Sequence, residues 1–170
     1  MKSVILLRGI NVGGKNKLPM KELCAILEDL GAQHPKHYIQ SGNIVVDGPC
    51  DAVLVADAIE AARGFRPRIM ILPADEFKAV ANQMPFDEPI GKLAHIWFIG
   101  SPFTFDQAKA DTLMAASESL HVTDKAIYLH APNGIGRSKL AGRIEALAGV
   151  PCTARNMNTV NRLVEMLDAR

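Results

Sequence analysis

The chain opens with a continuous apolar run, Ser3–Leu7, that stops at Arg8. An unbroken run of this kind predicts a strand covered on both faces. Pro19 suits the first turn of a helix, where its missing N–H has no partner to lose. Behind it Met20, Leu23, Cys24, Leu27 and Leu30 recur at helical spacing, and Gly31 ends the segment. Lys36–Gln40 and Asn43–Asp47 are expected strands joined at Ser41-Gly42, a tight hairpin signal. Asp51–Arg63 is alanine-rich and helical, closed by Gly64, and Arg68–Leu72 is the fourth strand.

Pro73 opens a further helix, Ala74–Gln83, and Met84–Gly91, with Pro85 and Pro89, is the expected linker. The pattern then restarts: a strand at Ala94–Ile99, a helix at Thr104–Ser117, and a hairpin of Leu120–Thr123 and Ala126–His130. A helix at Ser138–Ala148, a strand at Pro151–Arg155 and a last helix at Asn158–Ala169 complete it. The hairpin turns at Ser41 and Asp124 lie 83 residues apart, and the fourth strands repeat at the same offset, with no sequence identity between the halves. Both halves follow β-α-β-β-α-β, the ferredoxin-like order. The expected fold class is α+β, with two tandem ferredoxin-like units of antiparallel sheet plus extra helices, residues 1–84 and 92–170.

This topology places side chains before any coordinates exist. The loop after the first strand shares an end of the sheet with the hairpin of strands two and three, so Arg8–Lys17 lies beside Gln40-Ser41-Gly42-Asn43. In the second unit the loop Asn133–Lys139 shares an end with Thr153-Ala154-Arg155-Asn156.

Charge sharpens that picture. The net charge of the 170 residues is +1, but residues 1–20 carry four Lys/Arg and no acid, and residues 134–170 carry six cations against three acids. Positive charge gathered at the two ends of the sequence attracts anions if the fold concentrates it. Cys24, Cys50 and Cys152 are odd in number, widely spaced and in no CxxC pattern, which indicates neither a disulfide frame nor a zinc cluster; no metal site is expected. No segment reads as a secretion signal or a membrane span, so the cytoplasm is the default and no membrane partner is expected.

Gly9-x-x-x-x-Gly14-Lys15 matches a phosphate-binding P-loop up to its last position, where Asn16 replaces the hydroxyl that would hold Mg²⁺. Pro19 delays the helix, so an NTPase is rejected and no cofactor is expected. Gly9, Gly13 and Gly14 still let backbone N–H groups approach a ligand, and Arg8, Lys15 and Lys17 supply charge. Gly134-Ile135-Gly136-Arg137-Ser138-Lys139 is the second candidate, with Ser138 expected to cap a helix whose dipole favours an anion. Asn158 is the expected cap of the last helix. His34 and His37 lack a third metal ligand, and His130 is the one histidine with a case as an acid or base. The central strands of the first unit carry no aromatic, which argues against base stacking of the RNA-recognition kind.

Leu6-Leu7-Arg8-Gly9-Ile10-Asn11-Val12-Gly13-Gly14, Tyr38-Ile39-Gln40-Ser41-Gly42-Asn43, Gly136-Arg137-Ser138-Lys139-Leu140 and Thr153-Ala154-Arg155-Asn156-Met157-Asn158-Thr159-Val160 resemble the bacterial family called domain of unknown function 1697. The resemblance spans nearly the whole chain; a tryptophan is the expected residue at Met157. It implies a bacterial, cytosolic α+β protein, and it supplies no catalytic residues.

The expected ligand is therefore phosphate-bearing: a nucleotide, a phosphorylated metabolite or a nucleic acid. Arg8, Lys15, Lys17, Arg137, Lys139 and Arg155 are the expected phosphate contacts. Asn11, Gln40, Asn43 and Asn156 would orient the ligand, with Gly13, Gly14, Ser41 and Ser138 lining the loops. The rival is a protein-interaction module whose loops only cap helices and brace the units.

Overall fold

The computed structural model of the chain describes residues 1–87 and 91–170. The chain divides into two compact units, Met1–Ala79 with Arg162–Arg170, and Val80–Asn161. Each unit is a ferredoxin-like α+β fold with its own four-stranded antiparallel sheet. Residues 88–90 of the expected linker lie outside the described residues, and 84–87 carry neither helix nor strand. Among the described residues no helix is long and apolar enough to cross a membrane.

In the first unit β1 (Lys2–Arg8), β2 (Gln33–Tyr38), β3 (Asn43–Asp47) and β4 (Arg68–Pro73) take the order β2-β3-β1-β4. Helices α1 (Met20–Asp29) and α2 (Ala52–Arg63) cover one face. Alternation along the strands puts Ile5, Leu7, Ile44 and Val46 on that face, where they pack with Leu23, Leu27, Val55 and Ile59. Val4, Leu6 and Val45, on the other face, are also fully buried, as a continuous apolar run requires. Asp51 caps α2 by accepting from the N–H of Val53 and Leu54, and Gly64, at φ 76°, ends it.

Burial of one such Leu or Ile contributes about 1.5–3 kcal/mol. An exposed ion pair, such as Arg66 with Asp57, is screened by solvent and contributes far less. The apolar stripes therefore decide the fold.

The second unit repeats the plan with β5 (Ala94–Ile99), β6 (Ser119–Val122), β7 (Ala126–His130) and β8 (Cys152–Asn156), in the order β6-β7-β5-β8. Between the sheets in sequence lies α3 (Ala74–Asn82). The helical face gathers Trp97, Ile99, Ile127, Leu129, Leu140, Ile144 and Leu147. Tyr128 is fully buried on the opposite face, where its hydroxyl donates to the Val80 carbonyl at 2.6 Å. Burial pushes its phenol up to about 12.

Several expected bounds change for identifiable reasons. The helix expected at Thr104–Ser117 is only α4 (Gln107–Leu113), because Asp106 caps it and Phe103 and Phe105 are drawn into the core. The helix expected from Ser138 is a 3-10 turn, Ala141–Arg143, followed by α5 (Ile144–Ala148). The last helix, α6 (Met157–Asp168), begins before Asn158; its cap is Asn156, whose Oδ1 accepts the Thr159 N–H at 3.0 Å.

The first hairpin shifts too. β2 starts at Gln33, and its pairing with β3 slips between Gln33 and Lys36, with His34 at φ 51°. Arg170 fills the break. Its Nη1 donates to Asp47 Oδ2 at 2.6 Å, its Nη2 to the Val45 carbonyl at 2.9 Å and also to the His34 carbonyl. Lys2 Nζ holds the Arg170 carbonyl at 2.9 Å. These bonds explain why the last nine residues count with the first unit, whereas a cut at the linker would leave them with the second.

Hydrogen bonds to a charged group contribute about 1.5–3 kcal/mol. Arg170→Ala is expected to cost about 2 kcal/mol in urea unfolding, with faster amide exchange in β2 and β3 and unchanged exchange in β6 and β7. Equal loss of protection in both sheets would contradict a local latch.

Candidate anion-binding site

At the end of β1 the chain builds a small projecting finger. Ile10 turns inward and is 2% exposed, anchoring one side in the core, and Leu18 is fully buried on the other. Between them the Asn11 N–H donates to the Asn16 carbonyl and the Lys15 N–H to the Val12 carbonyl, both at 3.0 Å. Gly13 and Gly14 sit at φ 57° and 75°. Two consecutive positive φ values under a closed four-residue turn are the type I′ pattern that suits a two-stranded ribbon. That is the reason for these two glycines: among the described residues nothing lies within 4 Å of a Cβ built on either one.

The asparagines hold the finger in place. Asn11 accepts the Leu18 N–H at 2.8 Å and donates to the carbonyls of Leu18 at 2.9 Å and Gln40 at 2.7 Å. Asn16 Nδ2 donates to the Gly9 carbonyl at 2.9 Å. Asn43 is fully buried and donates to Ser41 Oγ at 2.9 Å and the Tyr38 carbonyl at 3.2 Å. The Leu7 N–H meets the Gly42 carbonyl at 2.8 Å, and a Cβ on Gly42 would lie 2.6 Å from Leu7 Cβ. Glycine is required there by close approach as well as by its φ of 84°.

The structure thus brings together Arg8, Asn11, Gly13, Gly14, Lys15, Lys17, Gln40, Ser41 and Asn43 at one end of the first sheet. It also changes the roles expected of some of them. Asn11 and Asn43 brace backbone and are not poised to orient a ligand. Arg8, Lys15 and Lys17 are exposed. Arg8 faces Arg68 directly across β1 and β4, which sets two guanidinium side chains on one side of the sheet. Glu22, at the start of α1, is engaged by Arg63, whose hydrogen bond holds its carboxyl below the usual range.

In the second unit, the pairs Ala94–His130 and His95–Asn156 place the loop after β7 and the end of β8 at one end of the sheet. There the expected helix-start anion site is not built. α5 has five residues and begins at Ile144, and Ser138 Oγ accepts the Ala141 N–H of the 3-10 turn at 3.0 Å. Ile135 packs onto the helical face, as does Ala154, so alternation puts Arg155 on the other face. Arg155 is half-buried, its Nη1 donates to the Ala154 carbonyl at 2.8 Å, and burial lowers its pKa to about 10. Asn156 is a helix cap. Among the described residues no three His, Cys, Asp or Glu gather to hold a metal.

Residues 1–128 match the family described as Protein of unknown function (DUF1697). The chain belongs to that family. The first two motif blocks lie inside the matched span, and Gly136–Leu140 and Thr153–Val160 lie beyond it. Among solved structures this DUF1697 protein is similar to the conserved bacterial protein SP0830 of Streptococcus pneumoniae. The two are 26% identical over 98% of each chain, with a TM-score of 0.71. No curated protein matches it.

Two residues of this DUF1697 protein escaped sequence reasoning. Arg68 became a neighbour of Arg8 only through strand register. His95 had a signal, a lone histidine in the apolar strand Ala94–Ile99; its ring lies 5.9 Å from that of Trp97, and burial lowers its pKa to about 4. His130, favoured from sequence, sits with its ring 5.8 Å from Phe86.

Two outcomes follow for the family member. Asn11→Ala removes three hydrogen bonds and is expected to cost about 1–3 kcal/mol, with amide exchange at Leu18 accelerated most. Asn11→Asp, which keeps the acceptor, should fall between. His95 is harder to protonate folded than unfolded, so the unfolded chain binds more protons between pH 6.5 and about 4 and stability falls as pH drops through that window. Urea midpoints should show a loss of up to about 2 kcal/mol between pH 7 and pH 5, and His95→Gln should remove that part of the profile.

Proposed function

We propose that this protein binds a phosphate-bearing ligand at the basic end of its first unit, in the bacterial cytoplasm. The observation that carries the reading is the finger itself. It is braced at its base by Asn11 and Asn16, and it presents the exposed cations Lys15 and Lys17 above Arg8 and Arg68. Neither lysine makes an ion pair or hydrogen bond through its side chain among the described residues. Ammonium groups held on a braced scaffold lose little freedom when an anion arrives, which favours binding.

One observation favours the rival, a protein-interaction module with structural loops and no small-molecule ligand. Asn11, Asn16, Asn43, Ser138 and Asn156 all serve the backbone. The cations separate the two readings. In thermal-shift measurements with tripolyphosphate, ATP and a short oligonucleotide, at least one is expected to raise the melting temperature. Saturation at a hundredfold over Kd contributes about 2.7 kcal/mol. The double variant Lys15→Glu/Lys17→Glu should abolish the shift. No shift with any of the three, or a shift indifferent to both lysines, leaves the interaction module as the better account.

A further inference from the structure

The finger has a shape as well as a charge. Asn11–Asn16 is a short two-stranded ribbon, bridged between Val12 and Lys15 and closed by Gly13 and Gly14. From Asn11 to Gly13 it projects about 7 Å, at about 3.3 Å per residue. There is space at its tip: among the described residues, Cβ atoms built on Gly13 and Gly14 meet nothing within 4 Å. Val12, beside the tip, is 65% exposed, although valine gains nothing from water. A groove of about 440 Å³ in the same unit lies between β2 and the end of α6 and involves no finger residue. The basic end is thus a short ribbon, open at its tip, with cations beside it.

We infer that the ligand is double-stranded DNA, with the ribbon seated in its major groove and Val12 against the base edges. This rests on the phosphate-binding reading above and narrows it to one class. The major groove is about 12 Å wide and 8.5 Å deep and admits a two-stranded β-ribbon, and the finger matches that depth. Thymine offers a methyl group there for an apolar contact, which gives the exposed Val12 a partner. The cations flank the ribbon where phosphates would run: Lys15 on one arm, Lys17 at its base, Arg8 and Arg68 at the foot. Duplex RNA does not fit the same way, since its major groove is deep and too narrow for side chains to read. Single strands are recognised by stacking on aromatics, and the finger has none.

The test uses the full chain and fluorescence anisotropy with a 20-base-pair DNA duplex, the matching single strand, the matching RNA duplex, and inorganic polyphosphate. The DNA duplex is expected to bind at least tenfold tighter than each other probe. The dependence of log K on log salt should lose about 0.9 in slope for each lysine that ceases to meet a phosphate, hence about 2 in Lys15→Glu/Lys17→Glu. Val12→Ser should weaken duplex binding severalfold with the salt slope unchanged, because it removes a groove contact and no charge. Polyphosphate or RNA binding as tightly as duplex DNA, through the same lysines, overturns the DNA assignment and leaves phosphate binding standing. An unaltered duplex affinity in Val12→Ser overturns the insertion. If no probe binds, both readings fall.

Discussion

The side chain of Asn11 holds the basic end of the first unit together. One amide accepts the Leu18 N–H and donates to two carbonyls, Leu18 and Gln40, so a single residue joins the segment after β1, the entry to α1 and the β2–β3 turn. At φ 52° it adopts a conformation that asparagine tolerates far better than most residues. Without this tie, three basic residues on a glycine-bearing loop would sample many conformations and pay an ordering cost on binding. With it, Lys15 and Lys17 ride on a braced ribbon. The asparagine fixes the ribbon that carries Lys15.

Each sheet buries both faces, and this has consequences for what remains available. Leu6 and Val4 lie opposite Ile5 and Leu7, and all four are inaccessible; Phe98 and Ile99 are likewise buried on opposite faces of β5. A sheet whose central strands are buried on both sides leaves its ends, loops and edges as the accessible surfaces. The two units use their ends differently. In the first, the loop is a projecting ribbon with exposed cations. In the second, Ile135 packs the loop after β7 onto the core, and alternation puts Arg155 on the opposite face of the sheet.

The Arg170 latch shows how a local irregularity is absorbed. The slip of β2 against β3 leaves the His34 and Val45 carbonyls and the Asp47 carboxylate together, and one guanidinium satisfies them. Arginine suits this break because its planar fork offers donors in several directions at once, which lysine does not. Its side chain is 8% exposed, and among the described residues its Nε is buried without a partner; the other bonds offset that cost.

The sequence by itself determined the fold class, the element order and which loops share a sheet end, because apolar periodicity and β-α-β-β-α-β topology leave few alternatives once strand direction is set. It also determined that Lys15, Lys17 and the glycines belong to one turn, since they are adjacent in the chain. Only the tertiary structure decided roles that depend on partners distant in sequence. Asn11 looked like a ligand contact until Gln40 arrived 29 residues later to take its amide. Arg68 looked like an ordinary strand start until register set it opposite Arg8. Ser138 looked like a helix cap, and Asn158 looked like another, until packing of Ile135 and Ile144 shortened the first helix and Asn156 began the second. Periodicity reports which side of an element is apolar; hydrogen-bond partners, register and caps are settled by what the rest of the chain brings within reach.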